Sequence, residues 1–342
     1  MAVNEFRKDI VSGEWVLISS LRAKRPHEGV RERLAQAVEG CVFEPGSLHE
    51  QSDPLAVYQN GERIPWHGDW EGPWTTAVIN NKFPALQAGV CGAPHEVGPY
   101  LAHEAFGFHE LVITRDHEQH FAQFTDQQTA EVLHTYRDRY QEIAKDACGD
   151  YISIFHNHGR AAGASIFHNH SQIITTPFIP PGVLRSLRAS DEYFQRHGTP
   201  IHQTVIDWER QQGRRVVYEN EDYIVLCPFA SKTGYEMRLF PKQPASRFEE
   251  ATDAQLLQCA NALTVALRAL HGALDDIDYN FYIHTVPVQR DSSVSYDHYR
   301  WHVEITPRPS IEAGFEFSTA VHINSFDPDD AAQHLRDVAG AL

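Results

Sequence analysis

"GFHELVITRDHEQHFAQFTDQQTAEVLHTYRDRY", residues 107–140, is echoed by "GYEMRLFPKQPASRFEEATDAQLLQCANALTVAL", residues 234–267. Aligned without gaps, Gly107 meets Gly234, Phe121 meets Phe248 and Thr125 meets Thr252. Each stretch opens on a short apolar, strand-like run, LVIT in one and RLFP in the other. Each then enters a helix through a capping box, Thr125 with Gln128 and Thr252 with Gln255. In that motif the hydroxyl and the amide satisfy free backbone donors reciprocally. Apolar residues follow at helical spacing: Val132, Tyr136, Tyr140 and Ile143 in the first copy, Leu256, Ala260, Leu263 and Leu267 in the second.

Outward from this pair, a further strand signal follows each helix, "DYISIFH" (150–156) and "DYNFYIH" (278–284). A third strand follows, around His168 to His170 in one copy and "RWHVEITP" (300–307) in the other. Strand, helix, strand, turn or loop, strand, twice over, predicts an α+β fold. It has two similar halves, a largely antiparallel sheet and helices packed on one face. The halves are expected at 1–180 and 181–342. Matching the third strands sets His168 and His170 against His302 and Glu304, so chemistry is expected in the first half only.

At 342 residues, with 22% charged and 42% hydrophobic residues, the chain can bury a sizeable core. A formal charge of −17 excludes general binding to phosphate backbones, which demand a basic face. No apolar run is long enough to span a membrane and no secretory h-region opens the sequence, so no membrane partner and a cytoplasmic location are expected. Five scattered cysteines argue against a disulfide framework. Cys91, in the Gly/Pro-rich stretch 87–104, reads as an unpaired surface thiol.

Four histidines crowd into residues 156–170: His156, His158, His168 and His170. In a strand His168 and His170 would share a face, about 7 Å apart along the chain. "GRAAGAS" before them supplies small residues whose backbone can approach a ligand. Ser165 and Gln172 add donors, making a cradle for a phosphate beside an imidazole. A neutral imidazole can attack phosphorus and then leave, provided a partner keeps its other nitrogen protonated. Zinc would equally accept a Cys, a carboxylate and two imidazoles. Composition and spacing leave metal ligation and nucleophilic attack both open.

"RKDIVSGEWVLISSLRAKRP" (7–26), "NNKFPAL" (80–86), "NHGRAAGASIFHNHSQ" (157–172) and "GFEF" (314–317) occur in the order found in galactose-1-phosphate uridylyltransferases and their histidine-triad relatives. Nearly the whole chain resembles that family, including the branch that contains ADP-glucose phosphorylases. The resemblance implies that His170 is a nucleophile forming a nucleotidyl-histidine, with Ser165, Gln172, Asn157 and the turn holding Gly163 at the phosphates. It implies that Arg22, Arg25 and Asn81 lie near the nucleotide and that Glu316 touches the hexose. It further implies one structural Zn2+ on Cys41, Glu44, His117 and His168, with Glu44 standing where the family has a second Cys. A second family metal site is expected to be absent. His284 and His302 remain there, but Glu304 replaces its third histidine and Ser186 its Glu.

The implied reaction is ping-pong transfer of a nucleoside monophosphate from a sugar nucleotide, UDP-glucose first, to a hexose 1-phosphate such as galactose 1-phosphate. The alternatives are ADP-glucose phosphorolysis with phosphate as acceptor, and hydrolysis. Backbone N–H groups of the 159–163 turn are expected to stabilise the transition-state charge. A homodimer is implied by the resemblance alone.

Overall fold

Both capping boxes form. Thr125 Oγ1 accepts from Gln128 N and Thr252 Oγ1 from Gln255 N, and each Gln side chain accepts its threonine's own N–H in return. They open the two long helices of a computed structural model that describes residues 4–21, 37–89, 91–146, 149–288 and 295–341. In chain order its first part contains β1 (Asn4–Lys8), β2 (Trp15–Ser19), α1 (Pro45–Leu48), β3 (Pro54–Gln59), β4 (Glu62–Ile64), β5 (Thr76–Asn80), β6 (His95–Val97) and β7 (Tyr100–Ala102). β8 (His109–Thr114), α2 (Asp126–Ile143), β9 (Tyr151–His158), β10 (His170–Thr176), α3 (Pro181–His197) and α4 (Ile201–Gln212) follow. The remainder is β11 (Val216–Glu219), β12 (Tyr223–Leu226), β13 (Met237–Pro241), α5 (Asp253–Leu274), β14 (Tyr279–His284), β15 (His302–Pro307), α6 (Gly314–Thr319), β16 (His322–Asn324) and α7 (Pro328–Ala339).

Eleven strands form one sheet in the order β11-β12-β13-β15-β14-β9-β10-β8-β5-β3-β4, every neighbour antiparallel. The α+β architecture with two similar halves is therefore present, and the halves meet at the β9–β14 seam, where Asn157 pairs with Asn280. A small second sheet, β1-β2-β16, brings both ends of the chain together.

Alternation of side chains gives the large sheet two different faces. One face carries Val112, Ile154, Ile173, Leu239, Phe281 and Val303, which pack against α2, α5 and α7 as the main core. Burying each such side chain contributes roughly 1.5–3 kcal/mol. Thr129 and Thr264 join α2 to α5 through a 2.9 Å hydroxyl–hydroxyl hydrogen bond. The other face is covered on the first half by Cys41, Phe43, Leu48, Trp70 and Trp74 over Ala77, Ile79, Leu111 and Ile113. On the second half, α4 covers it by laying Ile206 on Ile224, Leu226 and Phe240. His170 and Gln172 belong to this face, because they pair with Ile113 and Leu111.

The register corrects the expected match between halves. Ser171 pairs with His156 across β10–β9, and Val303 pairs with Ile283 across β15–β14. The ungapped offset that sets Gly107 on Gly234 sets His156 on Ile283, and His170 and His302 each donate Nδ1–H to the carbonyl two residues back, so His170 corresponds to His302 and Gln172 to Glu304. His170 was expected opposite Glu304. The sequence alignment went wrong because the loops before β10 and β15 differ in length, which spacing across ungapped helices cannot reveal.

Among the described residues no helix is long and apolar enough to cross a membrane. Cys91 is disulfide-bonded, where an unpaired surface thiol was expected, while Cys41, Cys227 and Cys259 are free.

Candidate active site

β9 ends at His158 and the chain turns through a single 3₁₀ turn, Arg160–Ala162, before re-entering the sheet at His170. Gly159 and Gly163 flank the turn at φ +81° and +90°. A Cβ on Gly159 would lie 2.1 Å from Asp278 Oδ1, so close approach as well as backbone angle requires glycine there. Asp278 Oδ2 accepts from Ala161 N at 2.6 Å and fastens the turn to the second half. The N–H groups of Ala162, Gly163 and Ala164 bond back to Gly159 or Arg160 carbonyls. The backbone donors of residues 161–164 are thus already engaged within the turn or by Asp278, which leaves fewer of the expected backbone donors for a phosphate.

His170 is 7% exposed, and its Nδ1–H donates to the His168 carbonyl at 2.9 Å. That bond fixes the tautomer and leaves Nε2 with its lone pair. Burial pushes its pKa below the usual histidine range, so the ring is neutral near pH 7. Phe43 packs edge-on against it at a centroid distance of 5.1 Å.

Gln172 lies one step along the same face. Its Oε1 accepts from His109 Nε2–H at 2.9 Å, while His109 Nδ1 accepts from Ala85 N at 3.0 Å. Asn81 Nδ2 stands 3.1 Å from the same His109 nitrogen. His109 therefore turns the Gln172 amide so that its NH₂ group has no partner among the described residues. Sequence reasoning missed His109; its only signal was a histidine opening the LVIT strand. Asn157 accepts from Asn280 Nδ2 at 2.7 Å, and Asn280 Oδ1 accepts from Arg308 Nε at 2.7 Å, so a guanidinium is tied to the seam. Ser165 is exposed on the loop before β10.

Asn81, Asn157, Gly163, His170 and Gln172 thus fall on one side of the sheet around β10. Glu316 caps its own short helix by accepting from Ala313 N, and it lines a cavity of about 190 Å³ with Lys232, Tyr282, Thr306, Arg308 and His322. Arg22 and Arg25 lie outside the described residues.

Beside His170, the side chains of Cys41, Glu44, His117 and His168 converge, their donor atoms all within 4.8 Å of one another. His168 Nε2–H donates to Thr114 O at 2.6 Å, which turns the Nδ1 lone pair toward Cys41 Sγ at 3.6 Å and Glu44 Oε1 at 3.4 Å. Glu44 Oε1 is also 2.7 Å from His117 Nδ1. The carboxylate that replaces a cysteine is therefore inside the donor set. One sulfur, one oxygen and two nitrogens, with the tautomer of His168 already fixed, fit tetrahedral zinc.

The second half builds its own version of the site, with a different content. His302 Nδ1–H donates to the Arg300 carbonyl at 3.0 Å, as His170 does to His168. Its Nε2 is 3.4 Å from Glu304 Oε1, and His284 Nε2 is 3.8 Å from the same oxygen. Those three residues could hold a cation. Glu304 is, however, already held by the buried Arg238 guanidinium at 3.2 Å and by Tyr282 Oη at 2.8 Å. Arg238 also pairs with Asp9 at 2.8 Å and Glu236 at 3.4 Å. An internal carboxylate thus stands where a phosphate would approach His302. Ser186, 3.5 Å from Tyr299 Oη, offers no carboxylate.

The chain is similar to known proteins in sequence and in overall fold. The family model described as the N-terminal domain of galactose-1-phosphate uridyl transferase matches residues 1–180, and one described as a domain of unknown function matches residues 100–339. ADP-glucose phosphorylase of Arabidopsis thaliana is 31% identical, over 98% of this chain and 93% of its own length. Galactose-1-phosphate uridylyltransferase of Thermotoga maritima is 25% identical, over 97% and 98%. Among solved structures, an Arabidopsis thaliana ADP-glucose phosphorylase with bound ADP-glucose superposes with a TM-score of 0.81 at 28% identity, covering 98% of this chain and 99% of that one. A uridylyltransferase follows at 0.75 and 25%, with the same coverage.

Proposed function

The chain is an enzyme of the galactose-1-phosphate uridylyltransferase family, and from that premise we propose that it transfers a nucleoside monophosphate from a sugar nucleotide through a nucleotidyl-histidine on His170. The observation that carries this reading is the buried neutral imidazole, held by the His168 carbonyl with Nε2 free, beside a Gln172 amide aimed by His109. His170 Nε2 attacks the α-phosphorus, the bond from that phosphorus to the bridging oxygen breaks, and hexose 1-phosphate leaves. A phosphate oxygen of the acceptor then attacks the same phosphorus, the P–N bond breaks and the imidazole is restored. Gln172, Asn157 and Ser165 are the side-chain donors placed for the oxygen charge that develops. Asn81 lies at the nucleotide side, and Arg22 and Arg25 complete the anion site in this reading.

Zinc on Cys41, Glu44, His117 and His168 would supply a rigid anchor for the segment presenting His170. The nucleophile resides in the half 1–180, and Glu316 in the half 181–342 takes the hexose. The reading includes a homodimer, as the family resemblance implies; a purely monomeric sedimentation profile would remove that element.

Identity to ADP-glucose phosphorylase exceeds that to the uridylyltransferases, which supports ADP-glucose as donor and inorganic phosphate as acceptor. UDP-glucose with galactose 1-phosphate, in galactose metabolism, is the second reading, supported by the match over residues 1–180. Sugar nucleotide is added without acceptor. Stoichiometric hexose 1-phosphate release is expected, reduced on the order of 10⁴-fold or more in His170→Ala. Continuous release driven by water would replace transfer with hydrolysis. Turnover of ADP-glucose with phosphate against UDP-glucose with galactose 1-phosphate assigns the base and the acceptor.

A further inference from the structure

A third group of imidazoles lies on the helix-bearing side of the sheet, away from His170. His120 comes from the loop between β8 and α2, His158 from the last position of β9 and His271 from the last turn of α5. All three point at one carboxylate oxygen. Asp276 Oδ1 is 3.0 Å from His158 Nε2, 3.1 Å from His271 Nδ1 and 3.8 Å from His120 Nε2. The donor atoms of His120, His271 and Asp276 lie within 4.8 Å of one another.

We propose that His120, His271 and Asp276 form a second metal site, for a divalent transition cation such as zinc, at the seam between the two halves, with His158 Nε2–H holding Asp276 Oδ1 from the end of β9. Two nitrogens and one oxygen, with a water in the fourth position, are a donor set zinc accepts, and tetrahedral bonds of 2.0–2.2 Å require donors about 3.4 Å apart, close to the 3.1 Å and 3.8 Å separations of the two rings from Asp276 Oδ1. The free lone pairs favour it too. Unlike His168, His170 and His302, none of these rings has its tautomer fixed by a backbone carbonyl among the described residues. Each can carry its proton on the far nitrogen and turn a lone pair inward.

The way in is open: the His271 and Asp276 side chains are 42% and 30% exposed. The bound ion would tie the end of α5 to the end of β9, directly before Gly159 of the active-site turn.

The test is total bound metal in the purified full-length chain after dialysis against excess Co²⁺, with His271→Ala and Asp276→Asn alongside. Wild type should hold one equivalent more than either variant. Cys41→Ser should keep that equivalent while losing the thiolate-to-cobalt charge-transfer absorption that marks the cysteine-containing site. Equal metal content in wild type, His271→Ala and Asp276→Asn would overturn the site and leave Asp276 as a hydrogen-bond acceptor for His158.

Discussion

His109 shows why a residue can matter and yet be silent in a linear reading. Its partners are Ala85 and Asn81, 24 and 28 positions before it, and Gln172, 63 positions after it. Only strand pairing brings them together. It acts through Gln172 rather than on phosphorus, so it is a positioning residue. His109→Ala is expected to lower kcat about tenfold with a smaller change in KM, because a misaimed donor loses transition-state stabilisation first. Gln172→Ala should cost more, on the order of 10²-fold in kcat. Steady-state kinetics on both variants tests the order; an equal KM effect with unchanged kcat would place His109 in binding instead. His170 itself was readable as a candidate from its neighbours. The bond that leaves its Nε2 free required the fold, since it depends on how the chain bends between His168 and the start of β10.

Among the elements, α2 and α5 were legible in full outline because helical periodicity and capping are local signals. Thr252→Ala removes a side-chain acceptor for a helix N–H and should cost about 1 kcal/mol in denaturant unfolding, with little effect on turnover. A null result would mean that water replaces the cap. The 159–164 turn was legible as a turn, but the partners of its N–H groups were not. Asp278, which engages Ala161, belongs to the other half of the chain. Register was the weakest inference. An alignment that slips by two keeps apolar and polar positions in step, since side chains alternate with period two, so the mismatch of His170 with Glu304 left no local conflict.

For the whole molecule, the burial of histidines sets a pH dependence. His156 and His202 are fully buried, and burial pushes both well below the ordinary histidine value of 6.5; each has a ring nitrogen without a partner among the described residues. Folded, they bind fewer protons than unfolded as the pH falls below 6.5. Each therefore contributes a loss of stability in acid, with a slope of up to about 1.4 kcal/mol per pH unit, and nothing above that value. Glu236, pushed up to about 7 by burial, opposes them between the ordinary carboxyl value of 4.5 and 7, since its folded form holds the proton. With His120, His168, His170 and His284 also pushed down by burial, and Glu209 and Glu249 pushed up, six rings against three carboxyls predict a falling melting temperature from pH 6.5 toward 5, measured by thermal unfolding. A flat profile would mean that these rings gain solvent or partners when charged.

The sequence by itself determined the α+β repeat, its capped helices and the cluster around His170, because periodicity, capping and a dense motif are all written within a few neighbouring residues. Tertiary structure alone decided the register, the aiming of Gln172 by His109, the convergence of Cys41 and Glu44 on His117 and His168, and the occupation of the second half's site by Glu304 and Arg238. Those depend on strand pairing and side-chain direction between residues far apart in the chain, where a shift of one or two positions leaves composition and pattern unchanged but moves every donor.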